Sequence, residues 1–378
     1  MMNDFAEIHD ELRTVARGLL AKSGHEATAD WSAIAGAGWP GLEAPDEFDG
    51  AGATFAELAV VLEEIGRAAA RTAFPSVAVL GVGALGLLAA SPQRDRLLRE
   101  CVAGDALPVA VLPGTWGPGT DTCAAVAGVG AGGRAGPVAS AGFTLGAAAD
   151  GLLCGTAEFV CDATVGDRLL IPVRAADGAV VIAVVEARAK GLAVEAEPVV
   201  DATRVFGRVV ADRVAVAPEA VLRFAGDGAA GLRRLYDRAG TAIACDSLGL
   251  SAAVLDATVE YVRVREQFGR PVGSFQAVQH ACADMLVQVS VARQLVTAAV
   301  RAEVARAPDA SVAASMAKAY ATEVAVRVAG KAMQLHGGIG YTWESGMHVY
   351  LKRATLNRSL FGTPSAHRAE LARRFRRG

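Results

Sequence analysis

The spacing of apolar residues changes twice along the chain. In residues 54–73 five apolar side chains fall on one face of a helix and charged ones on the other, which predicts an amphipathic helix. The apolar positions are Phe55, Leu58, Val61, Leu62 and Ile65, and the charged positions are Glu63, Glu64 and Arg67. From about residue 106, short valine-rich runs separated by Gly, Pro and Asp predict an antiparallel sheet or a small barrel.

Long alanine-rich helical patterns return from about residue 223, and no proline interrupts them between Val272 and Pro308. The order helices, strands, helices predicts an α+β multidomain protein. We place the helical N-terminal domain at 1–105, the β domain at 106–222 and the C-terminal helical domain at 223–378.

Composition limits the function classes. The chain has 378 residues, 52% hydrophobic, and a formal net charge of −3, which lacks the basic excess that nucleic-acid binding needs. The six cysteines include no CxxC pair and no histidine at zinc-ligand spacing, so we expect neither a metal site nor disulfides. Residues 1–20 predict a first helix and no targeting segment, and no apolar run is long enough to cross a membrane. We therefore expect a soluble, cytoplasmic protein without membrane insertion.

Two segments match the spacing of a dinucleotide-binding glycine motif. They are Gly81, Gly83 and Gly86, after a strand-like run, and Gly128, Gly130 and Gly133, in a low-complexity stretch at 127–142 that predicts a loop. The motif requires a helix to begin on its last glycine, and Pro92 and Pro137 leave little or no room for one. We predict that neither segment binds a dinucleotide in this way.

The C-terminal helices carry two more specific segments. They read "YVRVREQFGRPVGSFQAVQHACADM" at 261–285 and "KAMQLHGGIGYTWE" at 331–344. Each alone also fits a simpler interpretation, a helix end with a solvated arginine or a helix-to-helix turn with glycines. Together, in this order, they closely resemble the acyl-CoA dehydrogenase family, flavoproteins that oxidise the α,β bond of a coenzyme A thioester. Residues 31–68 and 199–222 resemble the first domain and the end of the middle barrel of that family.

The resemblance implies an N-terminal helical domain, a middle antiparallel β-barrel and a C-terminal four-helix bundle, assembled as a tetramer with FAD at a subunit interface. In that family the two C-terminal segments reach the FAD of the neighbouring subunit. The residues carried over as cofactor-binding are Arg265, Gln267, Phe268, Gln276, Gln334, Gly337 and Gly338. Arg265 would pair with phosphates, and the two glycines would let the backbone approach the adenosine end. We expect His280 and His336 to be structural or cofactor-adjacent.

The sequence departs from the family where the reaction needs a base. Abstraction of a weakly acidic α-proton requires a desolvated carboxylate. Most members place a glutamate just before Gly-Thr near the C-terminus, where this chain has Phe361, and a minority place it where this chain has Ala239. Asp237 and Asp246 lie nearby, but we expect Asp237 to be solvent-facing or paired with Arg238 and Asp246 to make a polar helix contact. The catalytic residue is therefore unknown from sequence.

The segments that hold a chain's own FAD in the family are also altered. Pro113 stands where a flavin-binding threonine is usual, and only Gly119, Thr120 and Asp121 keep part of the following motif. Ala157 and Cys161 replace the family's lysine and flavin-contacting threonine. Since proline has no N–H and cysteine is a weak donor, we expect this half to hold FAD poorly.

These departures lead to the hypothesis that the chain is the base-lacking subunit of a heteromeric acyl-CoA dehydrogenase. Its "LFGTP" ending resembles subunits of actinobacterial α2β2 enzymes that act on bulky acyl-CoA thioesters such as steroid side chains. Partners would be a paralogous subunit, an acyl-CoA substrate and an electron-accepting flavoprotein. Two alternatives stay open: a self-sufficient homotetramer using an unusual base such as Asp246, and a non-enzymatic assembly or binding homologue without flavin.

Overall fold

Helices occupy both ends of the chain and strands its middle in the computed structural model, which describes residues 2–21, 28–114, 142–146, 151–175 and 177–376. The helices are α1 (Met2–Leu20), α2 (Trp31–Gly36), α3 (Phe55–Ala68), α4 (Val82–Leu85), α5 (Pro92–Ala103), α6 (Gly228–Val264), α7 (Gln276–Val304), α8 (Ala310–Leu335), α9 (Met347–Ser359) and α10 (Pro364–Phe375). This order confirms the predicted fold class. The domain boundaries at 105 and 222 stay predictions.

Helix α3 shows how far the apolar pattern specifies burial. Thr54 and Glu57 form a capping box at its start, which satisfies free backbone N–H groups. The five predicted apolar positions are all buried. Glu64, expected on the polar face, is buried as well, because Arg17 from α1 covers it and donates two hydrogen bonds of 2.9 Å.

The strands are β1 (Pro108–Ala110), β2 (Phe143–Leu145), β3 (Leu152–Cys161), β4 (Arg168–Arg174), β5 (Val180–Glu186), β6 (Leu192–Ala196), β7 (Phe206–Ala215) and β8 (Val221–Arg223). They form one curled sheet in the order β6-β7-β3-β2-β4-β5-β8, with β1 beside β4. The pairs of β4 with β1 and β2 are parallel, and the other pairs are antiparallel. Strands β4 and β5 are buried on both faces, as their continuous apolar runs require.

Helix α8 lies at the centre of the C-terminal bundle and packs against α6, α7, α9 and α10. Helix α6 is long and apolar enough to cross a membrane by length and composition, but 78% of its most apolar window is buried inside the protein. Burial of this kind is typical of a core helix. A short hairpin, β9 (Glu266–Gln267) and β10 (Arg270–Pro271), separates α6 from α7.

Residues 74–85 are helical up to the last glycine of the segment at 81–86, so the strand-like interpretation of residues 74–80 was wrong. A π-helical turn, Pro75–Gly81, runs directly into α4. Its glycines serve close packing: a Cβ at Gly81 would collide with the Pro108 carbonyl, and one at Gly83 with the Arg238 side chain. The glycines at 128–133 lie outside the described residues.

Candidate functional site

The predicted cofactor-binding residues lie on an exposed surface at the ends of α6 and α8. We call this set the outward surface: Arg265, Gln267, Phe268, Gln276, Gln334, Gly337 and Gly338, all of which are exposed. The Phe268 side chain is 92% exposed and its backbone has a φ of 55°, in the left-handed region. The Arg265 guanidinium has no hydrogen-bond or ion-pair partner among the described residues. These side chains therefore point away from the core of their own chain.

A ring stack joins the two segments that carry this surface. The rings of Tyr261, in α6, and His336, after α8, stack with centroids 4.3 Å apart and an interplanar angle of 20°. The Tyr261 hydroxyl donates to the His336 carbonyl at 3.3 Å, and His336 Nδ1 lies 2.8 Å from the Ala332 carbonyl. Since a carbonyl only accepts, Nδ1 carries a proton, and His336 acts here as a structural link between the two segments.

Gly337 and Gly338 leave their backbone open on the outer side. Gly337 has a φ of 61°, and a Cβ added at either glycine would meet no atom of this chain within 4 Å. The space beside them is therefore outside the chain. Their proposed contact with an adenosine group stays a prediction.

Phe361, in the position of the usual base, is buried in a turn between α9 and α10. Its side chain is 3% exposed, and its ring packs edge-on against Tyr236 with centroids 6.3 Å apart. Its N–H donates to the Gly114 carbonyl at 2.7 Å, and the Gly114 N–H donates to the Phe159 carbonyl at 3.0 Å. Backbone hydrogen bonds thus join the turn to one segment that would cradle the chain's own flavin, at Gly114, and join that segment to the second, at Phe159. We call these residues, 113–114, 157–161 and 360–362, the closed cleft.

Two buried side chains hold the Phe361 turn from the other side. Lys318 Nζ, on α8, donates to the Gly362 carbonyl at 2.9 Å, and His367 Nε2 donates to the Phe361 carbonyl at 3.0 Å. Nδ1 of the neutral His367 ring then accepts from the Ser315 hydroxyl at 3.2 Å. Desolvation lowers the pKa of Lys318 to about 7. Desolvation and the nearby Lys318 lower the pKa of His367 to about 4.

The chain's own flavin side offers a poor donor set. Pro113 forms an isolated bridge with Val160, and Ala157 is buried without a polar side chain. Desolvation raises the pKa of the Cys161 thiol to about 12, so it stays a neutral, weak donor. Gly119, Thr120 and Asp121 lie outside the described residues. The residues described on this side do not fit a flavin ring well.

Asp246 is part of a buried ion cluster. Its carboxylate accepts from Arg353 Nε at 3.0 Å and Asn357 Nδ2 at 2.6 Å, and Arg204 lies 3.2 Å away. Burial alone would raise the pKa of Asp246, but Arg353 and Arg204 outweigh it and lower the pKa to about 2. A carboxylate so stabilised as its anion and surrounded by donors is a weak proton acceptor. This arrangement agrees with a polar helix contact.

The same Arg353 extends beyond the bundle. Its Nη1 donates to the Ala70 carbonyl at 3.1 Å and to Thr203 Oγ1 at 2.8 Å. One guanidinium therefore contacts the N-terminal helical region, the segment before β7 and helix α6.

Asp237 differs from its predicted environment. It is half-buried, neither solvent-facing nor paired with Arg238, and it accepts a hydrogen bond from Ser311 on α8. Desolvation raises its pKa to about 6. Arg238 instead points to the opposite side, where Nε donates to the Val79 carbonyl at 2.7 Å and Nη1 to Glu43 at 3.0 Å. Ala239 is buried and leaves the alternative base position without an acid.

The role of Lys318 was not predicted from the sequence. Its neighbours one turn away on α8, Ala314, Ala321 and Thr322, are all buried, so helical periodicity placed this lysine on the inner face. That position was a usable signal, since a buried lysine needs a specific acceptor.

Comparisons with known proteins agree with this architecture. The acyl-CoA dehydrogenase N-terminal domain model matches residues 3–105, and the C-terminal domain model matches residues 226–375. The chain is 29% identical to the acyl-CoA dehydrogenase IpdE2 of Mycolicibacterium smegmatis over 328 residues, which cover 85% of this chain and 80% of that protein.

Two solved structures with paired subunits are also similar. A variant of the Tcur3481-Tcur3483 steroid ACAD is 28% identical with a TM-score of 0.79, and the match covers 97% of this chain and 96% of that chain. The ChsE4-ChsE5 complex from Mycobacterium tuberculosis has a TM-score of 0.82 at 24% identity and covers 99% and 97% of the two chains, which shows a shared fold.

The helical ends, the intervening sheet and both terminal domain matches define a class of FAD-dependent oxidoreductases that act on CH–CH bonds. This chain belongs to the acyl-CoA dehydrogenase family.

Proposed function

We propose that the chain is the base-lacking subunit of a heteromeric acyl-CoA dehydrogenase in the cytoplasm. It would contribute its outward surface to an FAD site whose flavin cradle and glutamate belong to a paralogous subunit. When bound there, FAD would accept the hydride from the β-carbon of an acyl-CoA thioester. An electron-accepting flavoprotein would then reoxidise it.

The observation that carries this proposal is the buried Phe361 turn. The family's usual base position holds an apolar ring, and the backbone around it is bonded to the segments of the chain's own flavin side. The exposed Arg265 and Phe268 supply the complementary half, since a charged fork and an aromatic ring are suited to a phosphate-bearing cofactor from another subunit.

One relative supports the proposed substrate class. The Tcur3481-Tcur3483 protein is named a steroid ACAD, and its similarity extends over nearly the whole of both chains. We propose a bulky, steroid-derived acyl-CoA thioester as the substrate of the assembled enzyme.

Expression alone and with a glutamate-bearing paralogue from the same host tests the proposal. The isolated chain should be colourless and inactive, and the co-expressed pair should be yellow, heteromeric and able to reduce an electron acceptor with acyl-CoA. A yellow, active isolated chain would instead support a homotetramer with its own base. A colourless mixture with every paralogue tried would support a non-enzymatic homologue.

Asp246→Asn in the active complex separates the first two cases further. Turnover per folded complex should change little, because the proposed base lies on the partner. A loss of several orders of magnitude with the complex still assembled would place the base on this chain.

A further inference from the structure

A second polar site lies where the N-terminal helices meet α6 and the end of α7. It is a cavity of about 170 Å³, and none of its lining residues belongs to the outward surface or the closed cleft. Its charged lining residues are Glu43, Arg94, Arg234, Arg238, Glu303 and Arg306. Arginines therefore outnumber carboxylates two to one among the groups that line it.

Both glutamates are already occupied. Glu43 accepts from both Nη1 and Nη2 of the buried Arg238. Glu303 Oε1 accepts from Arg234 Nη2 at 3.1 Å and lies 3.5 Å from Arg238 Nη1. The two carboxylates of the cavity are thus already paired with two of its four arginines.

Three arginines that line the cavity keep N–H groups without an acceptor among the described residues. Arg94 uses Nε on the Leu85 carbonyl and Nη1 on Asp95, which leaves Nη2, and Arg234 leaves Nη1. Arg306 has no hydrogen-bond or ion-pair partner among the residues that the structure describes. Since Asp95 also pairs with Arg94 at 2.9 Å, Arg306 is the one lining arginine whose charge no described carboxylate offsets. Its guanidinium and the unused N–H groups of Arg94 and Arg234 supply the charge and the donors that an anion requires.

The backbone of Arg306 adds an independent observation. It follows the end of α7 with a φ of 49°, and its N–H donates to the Glu303 carbonyl at 3.1 Å. Glycine is the usual residue at such a left-handed helix end, and another residue there is strained. The chain places a guanidinium at a position where local geometry favours no side chain.

We propose that this cavity binds a small anion, inorganic phosphate or a short carboxylate, through Arg306 with Arg234 and Arg94. Its volume of about 170 Å³ suits such an anion and is below the roughly 300 Å³ at which sites for larger ligands begin. The site does not depend on the proposed function, because it uses none of the same residues.

Isothermal titration of the full-length chain with sodium phosphate, and separately with sodium succinate, tests this site. Arg306→Gly removes the guanidinium while relieving the strained backbone, so the variant should melt no lower than the parent. It should weaken binding of the preferred anion roughly 10- to 100-fold, as expected for loss of a charge-assisted contact. Arg306→Lys, which keeps the charge, should recover part of the affinity.

Arg301→Gln is the matched control, since Arg301 is exposed in the last turn of α7, five residues before Arg306, and does not line the cavity. It should bind as the parent does. Preference for phosphate or for succinate identifies which anion class the site takes, and either result supports the proposal. Absence of binding by both anions, or equal weakening in the Arg306→Gly and Arg301→Gln variants, overturns it.

Discussion

Two of the three Phe-Gly pairs in the sequence share a left-handed backbone conformation and have opposite surroundings. Phe268 and Phe361 have φ values of 55° and 51°, and the glycines after them have 75° and 98°. Yet the Phe268 side chain is 92% exposed and that of Phe361 is 3% exposed. A left-handed residue other than glycine costs about 1–2 kcal/mol, so both turns require compensation.

The source of that compensation differs between the two turns. Phe361 obtains it inside the chain, from Tyr236 and from hydrogen bonds on its N–H and carbonyl. Among the described residues, the ring of Phe268 has one aromatic contact, edge-on with Phe275 at a centroid distance of 6.2 Å. A strained and exposed aromatic ring is typical of a surface that another molecule covers. The Phe361 turn is thus completed inside the chain, whereas under the proposed function a partner subunit would cover Phe268.

The largest effect should come from removing the buried ring of the Phe361 turn. Phe361→Ala should lower the free energy of unfolding by about 3–5 kcal/mol, because it removes a buried ring and leaves a cavity. Urea denaturation of the isolated chain measures this. A loss below about 1 kcal/mol would mean that the turn is not a packed part of the core.

Arg265→Ala tests the outward surface in the co-expressed complex. The binding free energy of FAD should weaken by about 1.5–3 kcal/mol, because the phosphates would lose a charge-assisted partner. Flavin release during dilution, followed by fluorescence, gives the value. Arg263→Ala, at an exposed position two residues earlier, is the control and should retain FAD as the parent does.

The burial of Lys318 beside the Phe361 turn predicts that the free energy of unfolding depends on pH. Its folded pKa of about 7 lies below the ordinary 10.5, so the unfolded chain binds more protons between these values. Stability should therefore rise with pH above 7, by at most about 1.4 kcal/mol per pH unit from this group. Lys318→Met should remove this rise when unfolding is compared between pH 7 and 8.5. Equal slopes in both proteins would show that Lys318 stays charged when folded.

Phe268→Ala should have the smallest effect on the isolated chain, a change within about 0.5 kcal/mol in unfolding free energy, since the ring has little to lose. The same substitution should weaken assembly with the partner, measured by sedimentation at decreasing concentration. A large destabilisation of the isolated chain would remove the contrast with Phe361.

The sequence predicted the fold order, the buried stripe of α3 and the two C-terminal segments that now lie on one surface. These features depend on local periodicity or on contiguous motifs, which a single sequence displays directly. Their exposed positions also follow from polar residues at helix ends, such as Arg265 and Gln334.

The polar contacts of the interior were harder to predict from the sequence. Arg353 and Asp246 lie 107 residues apart, and Arg238 and Glu43 lie 195 residues apart, so no local pattern connects them. The predicted environment of Asp237 was wrong for the same reason, because its hydrogen-bond partner Ser311 belongs to another helix. Partner choice between distant segments is set by packing of whole elements, and local spacing does not encode it.

Arg353 joins Ala70, Thr203 and Asp246 through one side chain. Separating Asp246 from Arg353 would leave a buried charge unpaired, which is far costlier than losing a surface pair, and separating Ala70 or Thr203 would take an acceptor from a buried guanidinium N–H. The three regions should therefore melt together in a calorimeter as one cooperative unit. If the chain unfolds as one unit, its outward surface is rigid, and under the proposed function a partner subunit would bind a preformed shape and lose little conformational entropy in doing so.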